Sequence, residues 1–127
     1  MSAAKKFTAT INMTRPHKTV AIVGAGIGGL TAALAFALHG AEVIVLEQAT
    51  ELKGLGAGIQ ITPNGARVLH ALGLSDECAE QGIAAKAVQP MDALTGCPIT
   101  HFDLSQNSPK YRFFHRSALQ LILVQAA

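Results

Sequence analysis

Tryptophan is absent from the 127 residues, tyrosine occurs once and cysteine only twice. Cys78 and Cys97 are too few for a disulfide framework, no Cys-x-x-Cys spacing occurs, and the five histidines are scattered, so no metal site is expected. Two thiols without a framework suit a reducing compartment, and the expected location is the cytoplasm. Charge is sparse as well: 14% of residues are charged against 50% hydrophobic, a balance that excludes intrinsic disorder. The length suits one domain and not two. The formal charge of +2 misleads, because Lys5, Lys6, Arg15 and Lys18 precede every acidic residue, leaving six basic residues against eight acidic ones from Thr19 onward. A body of that sign, without a basic stripe interleaved with aromatics, excludes nucleic acid as a partner. The expected partner is a small molecule.

One feature imitates a membrane or export segment: Thr19 to Leu38 runs 20 residues without a charge, behind a basic stretch. Gly24, Gly26, Gly28 and Gly29 crowd its middle, where each would weaken a spanning helix by roughly 1 kcal/mol relative to alanine. They serve better as a turn, so no membrane segment is expected. The run then divides into a strand, a glycine turn and a helix.

Residues 1 to 18 are polar and basic and are expected to be a tail; residues 19 to 127 are expected to form the N-terminal portion of a domain. Thr19 to Val23 is a short apolar run rich in β-branched residues, expected to be a strand covered on both faces. Leu30 to Leu38 reads as a buried helix stopped at Gly40, and Glu42 to Glu47 as the next strand. Strand, helix and strand in this order make a right-handed βαβ unit with parallel strands. Gly54, Gly56 and Gly58 punctuate a loop. Thr62 and Pro63 then cap and open a helix closed at Gly73, and Ser75-Asp76-Glu77 opens a shorter one closed by Gly82. Residues 87 to 104 suggest a hairpin around Thr95-Gly96, with Pro90 keeping its first strand irregular or at an edge. Tyr111 to Phe114 is a further strand. Ser117 is expected to cap a final helix, Ala118 to Val124, whose Leu119, Leu121, Ile122 and Leu123 await cover.

The sequence Gly24-Ala25-Gly26-Ile27-Gly28-Gly29 contains Gly-x-Gly-x-x-Gly, which gains meaning from its context. It follows a strand, opens a helix, and is answered by Glu47 at the end of the next strand, 23 positions after Gly24. Gly24 permits the tight turn, Gly26 lets the backbone approach a pyrophosphate, and Gly29 lets helix and strand pack closely. The helix N-terminus supplies the positive end for phosphates. Glu47 can accept hydrogen bonds from ribose hydroxyls and would repel a 2′-phosphate, which points to FAD or NAD and not NADP. His115, Asp92, Asp103 and Cys78 read as structural, and no residue is assigned as a catalytic acid or base.

The string from Val20 to Leu30, then Val45-Leu46-Glu47-Gln48, Gly56-Ala57-Gly58-Ile59-Gln60 with Pro63-Asn64, and Leu69 to Leu74 resembles the single-component FAD-dependent aromatic hydroxylases, above all the salicylate and 3-hydroxybenzoate hydroxylase group. Met91 to Gly96 and His115-Arg116 followed by Ser117-Ala118-Leu119 are similar too, with Ala118 where that group has aspartate. The resemblance implies an α/β fold: an incomplete Rossmann-like FAD-binding domain with a parallel βαβ core and a small β-hairpin insertion. It implies that Gly24, Gly26 and Gly29 line the FAD pyrophosphate and Glu47 holds the adenosine ribose. Ala57, Gly58 and Gln60 would offer backbone contacts beside the flavin half, and Arg116 would be the cation that meets the cofactor. Members of the group reduce FAD with NADH or NADPH and use dioxygen to hydroxylate a phenolic aromatic acid. Later segments of that group are missing here, so the chain is expected to be an N-terminal portion, inactive alone and completed by the remainder of the polypeptide. The alternative is a free-standing module for FAD or NAD without catalysis.

Overall fold

The computed structural model describes residues 18–50 and 56–127. The expected tail up to His17, together with Gly54 of the glycine loop, lies outside the described residues. The first unit is the expected βαβ. β1 (Thr19–Val23) and β2 (Glu42–Leu46) run parallel, with Thr19 opposite Glu42 and Val23 opposite Leu46. Between them α1 (Ile27–Leu38) makes the crossover. It starts at Ile27 and not at Leu30, because the glycine motif itself supplies its first turn.

β1 is not covered on both faces. Its residues alternate between exposed and half-buried, and Val23 is 85% exposed. An apolar run declares what a strand tolerates, whereas cover depends on its neighbours, and among the described residues this sheet has two strands with α1 packed along it.

The second unit begins with β3 (Gly58–Ile61), where a loop was expected. After α2 (Pro63–Ala71), α3 (Ser75–Gln81), β4 (Ile83–Ala84) and the hairpin of β5 (Ala87–Val88) with β6 (Phe102–Asp103), the chain returns as β7 (Arg112–His115). β7 lies between β3 and β4 in an antiparallel sheet, with Gly58 opposite His115 and Ile61 opposite Arg112. The pairing that makes Gly58 to Gln60 a strand therefore comes from residues far along the chain. The hairpin turns where it was expected to: Asp92 accepts hydrogen bonds from the Leu94 and Thr95 N–H groups at 3.1 and 2.7 Å, and Gly96 adopts φ +68°.

The chain closes with α4 (Arg116–Ala126). Ser117 does not cap it; β7 runs directly into the helix, His115 occupies the N-cap with an extended backbone, and no side chain makes a capping bond. Thr62 likewise takes the N-cap position of α2 without using its hydroxyl. Nor are the apolar residues of α4 bare. Leu119, Ile122 and Leu123, at helical spacing on one face, are buried in a core with Leu30 and Ala33 of α1, Val45 of β2, Leu69 of α2, Cys78 of α3 and Phe114 of β7. Only Leu121 of the four faces outward, at 55% exposure. α4 thus joins the βαβ unit to the antiparallel sheet. No helix among the described residues is long and apolar enough to cross a membrane.

Candidate functional site

The glycine turn sits between β1 and α1, at the end of β2. Gly24 holds φ +99°, a left-handed conformation that side chains resist, and its N–H donates to the Leu46 carbonyl at 2.7 Å. Gly29 meets the same turn from the helix: a Cβ there would lie 2.0 Å from the Gly24 carbonyl oxygen and 3.1 Å from its carbon. The helix can approach this closely only because that atom is missing. Gly26 differs. It is the N-cap of α1 at an ordinary φ of −74°, and a Cβ on it would meet nothing within 4 Å. Its glycine leaves open space before a helix terminus whose first N–H groups have no acceptor within the helix. Such a terminus favours an anion.

Glu47 stands beside that space. One carboxylate oxygen, Oε2, accepts from the Ala25 N–H at 2.7 Å, and Oε1 accepts from the Ala49 N–H at 2.8 Å. These bonds, that of Ala49 foremost and then that of Ala25, hold its pKa below the ordinary glutamate value. The group is an ionised acceptor, and each oxygen has a further lone pair for a hydroxyl.

Arg116 and the stretch that starts at Gly56 come together at the start of α4. The Arg116 N–H donates to the Ala57 carbonyl at 3.4 Å, and its side-chain Cδ packs 3.4 Å from where a Gly56 Cβ would stand. Gly58 and Gln60 follow on β3, an edge strand of the three, so alternate backbone groups face away from β7. The Gln60 side chain is engaged elsewhere, accepting a hydrogen bond from the Tyr111 hydroxyl.

α4 links the two halves. Four residues after Arg116, on the same side of the helix, the Gln120 amide donates to the Ala25 carbonyl at 2.9 Å. Neither Ala25 nor Gln120 was singled out from the sequence. The one signal was an amide interrupting the apolar run Leu119 to Val124, with its partner 95 residues away.

The remaining polar residues play local parts. Asp103 accepts from the Ser105 N–H at 2.8 Å, and like Asp92 it is held ionised by the turn it closes. His39 lies 2.8 Å from the Ala35 carbonyl, His70 lies 2.6 Å from the Ser75 hydroxyl, and His101 bridges the hairpin to Gln89 at 3.1 Å. Burial raises the pKa of the Cys78 thiol, which disfavours the reactive thiolate. Among the described residues no group of three or more histidine, cysteine or acidic side chains could hold a metal ion. The turn thus presents a positive helix end with room before it and an ionised acceptor bonded to Ala25, while Arg116 stands where β7 runs into α4.

A protein family described as FAD binding domain matches residues 17–127. A 3-amino-4-hydroxybenzoate 2-monooxygenase of Streptomyces cremeus is 39% identical over 109 residues, which is 82% of this chain and 28% of that protein. A 3-hydroxybenzoate 6-hydroxylase of Aquipseudomonas alcaligenes is 38% identical over 115 residues, 87% of this chain and 29% of that protein. Among solved structures, a tetrameric 2-methyl-3-hydroxypyridine-5-carboxylic acid oxygenase superposes with a TM-score of 0.77 at 28% identity, covering 87% of this chain and 29% of the other. Klebsiella pneumoniae HpxO, solved with FAD and uric acid, gives 0.73 at 28% identity, over 85% and 28% of the two chains. The chain thus spans less than a third of the length of these relatives.

Proposed function

Because the chain belongs to the family of FAD binding domains, we propose that it is the cofactor-holding front of an NADH- or NADPH-dependent monooxygenase that hydroxylates a phenolic aromatic acid. The reading is supported by one observation: the turn before the open space at Gly26 is held by two side chains, Glu47 accepting from the Ala25 N–H and Gln120 of α4 donating to the Ala25 carbonyl. In this reading Gly24 and Gly29 fix the turn, and the N–H groups that follow Gly26 bind the pyrophosphate. Glu47 accepts from the adenosine ribose. The Arg116 guanidinium neutralises phosphate charge, and Ala57, Gly58 and Gln60 offer backbone groups to the flavin half. FAD, when bound, supplies the redox and oxygen chemistry; the chain supplies position and electrostatics. The names of the two relatives, both enzymes acting on hydroxybenzoates, support an aromatic acid as substrate. The small aromatic substrate and the remainder of the polypeptide are then its partners. A cytoplasmic setting accords with two free cysteines.

The test uses the protein that carries this sequence. Its bound cofactor is released and identified by chromatography and absorbance, and oxidation of NADH and NADPH is followed with and without hydroxybenzoates. FAD, together with nicotinamide oxidation and a hydroxylated product that depend on the aromatic acid, is the expected result. Protein that takes up NAD but no flavin would replace the proposal with the binding-module reading.

A further inference from the structure

We propose that Gln120 is a positioning residue for the cofactor: from α4 it sets the direction of the Gly26 N–H and strengthens it as a donor. The inference rests on the functional reading above and concerns a residue that touches the turn, not the ligand. The peptide group joining Ala25 to Gly26 is planar, with its C=O and N–H pointing in opposite directions. Fixing the oxygen therefore fixes the hydrogen. The Gln120 amide holds the Ala25 oxygen at 2.9 Å in a part-buried contact, which directs the Gly26 N–H away from α4. The preceding peptide is held as well, because Glu47 accepts from the Ala25 N–H at 2.7 Å. Two consecutive peptides of the turn are thus pinned by side chains from two different elements, β2's end and α4.

The bond has a second effect. A carbonyl that accepts a hydrogen bond polarises its own peptide, so the Gly26 N–H becomes a better donor to an anion. Without Gln120 the Ala25 to Gly26 peptide could rotate, since glycine on one side resists little. Part of the binding energy would then be spent on orienting it.

The charged groups around α4 are Glu47, across Ala25 from Gln120, Arg116 one helical turn earlier, Arg112 and His115 on β7, and Asp76, Glu77 and Glu80 on α3. All are common to wild type and variants, so the ratio of their FAD dissociation constants isolates position 120. Q120L removes the donor and should weaken FAD binding roughly tenfold at every pH, the effect of one lost hydrogen bond. Q120E is more telling. Its ionised carboxylate faces the Ala25 oxygen and cannot donate, whereas its protonated form has the shape of glutamine and can. The Q120E to wild-type ratio should therefore fall toward one as pH drops from 7 to 4, through the ordinary glutamate pKa of about 4.3, while the Q120L ratio stays flat. Repulsion between the new carboxylate and the FAD phosphates would also ease with protonation, but it would leave the uncharged Q120L at a ratio of one. In wild-type protein, the Gln120 side-chain amide protons should exchange slowly with solvent, a measurement that needs no variant to fold. Fast exchange, or a Q120E ratio that does not change with pH, would overturn the inference. Wild-type protein that takes up no FAD would instead defeat the functional reading on which it rests.

Discussion

Replacing Gly29 with alanine separates two opposing forces at one position. Gly29 lies inside α1, where helix propensity alone favours alanine by about 1 kcal/mol. The added Cβ, however, would stand 2.0 Å from the Gly24 carbonyl oxygen, and contacts under 3.0 Å are essentially unknown. Helix and turn must part by about 1 Å merely to reach that limit. The obstructing atom belongs to the backbone of a turn anchored by its 2.7 Å bond to Leu46, so it cannot swing aside as a side chain would. Retreat of α1 would loosen Leu30 and Ala33 from the core. Overpacking of this kind costs about 1–3 kcal/mol, and a backbone obstacle belongs at the upper end. The net expectation is a loss of about 2 kcal/mol, accompanied by loss of bound FAD. Gly28→Ala is the control, because a Cβ at the adjacent position meets nothing within 4 Å and should stabilise by up to about 1 kcal/mol. Urea unfolding of both variants measures the difference. Equal shifts for the two, or a Gly29→Ala protein as stable as wild type, would refute the close approach of helix and turn.

The depressed pKa of Glu47 means that its hold on Ala49 and Ala25 is complete above the ordinary glutamate value of 4.5 and is lost only as pH falls through the lower, folded-state pKa. The Ala49 amide resonance of the apoprotein should accordingly titrate below 4.5, and this step should vanish in Glu47→Gln. The same variant should bind FAD roughly ten- to a hundredfold more weakly, as expected for lost hydrogen bonds to a charged acceptor, and unchanged affinity by fluorescence titration would remove Glu47 from the site. Arg116→Ala should weaken FAD binding roughly tenfold, and added salt should lower the affinity of wild type more than that of the variant. Identical salt dependence would mean that the guanidinium meets no phosphate.

The parts of this site that were legible in the sequence are those where physics restricts the residue type. Only glycine serves at Gly24, with its left-handed backbone, and at Gly29, with its missing Cβ, so their spacing between a strand and a helix was informative. Glu47 followed from the length of the βαβ crossover. Other features depend on partners that local pattern cannot name. Gly58 to Gln60 is a strand because β7 returns beside it, and the apolar face of α4 is covered because α1 and α3 lie against it. β1 reads as doubly buried from its composition, yet the described residues cover one face. The helix start at Arg116 follows from the course of β7, not from the hydroxyl of Ser117. Gln120 was illegible for the same reason, since an amide in an apolar helix has no meaning until the residue 95 positions away is beside it.

The central claim is that the open space before α1 belongs to the cofactor's pyrophosphate, and Gly26→Val tests it most directly. Gly26 has an ordinary backbone conformation and no protein atom within 4 Å of a would-be Cβ, so the variant should keep the fold. FAD titration of the apoprotein, with circular dichroism as the check on folding, is the measurement. The account predicts a folded variant that no longer binds FAD, because its side chain occupies the phosphate's place. A folded Gly26→Val protein that binds FAD as tightly as wild type would contradict it.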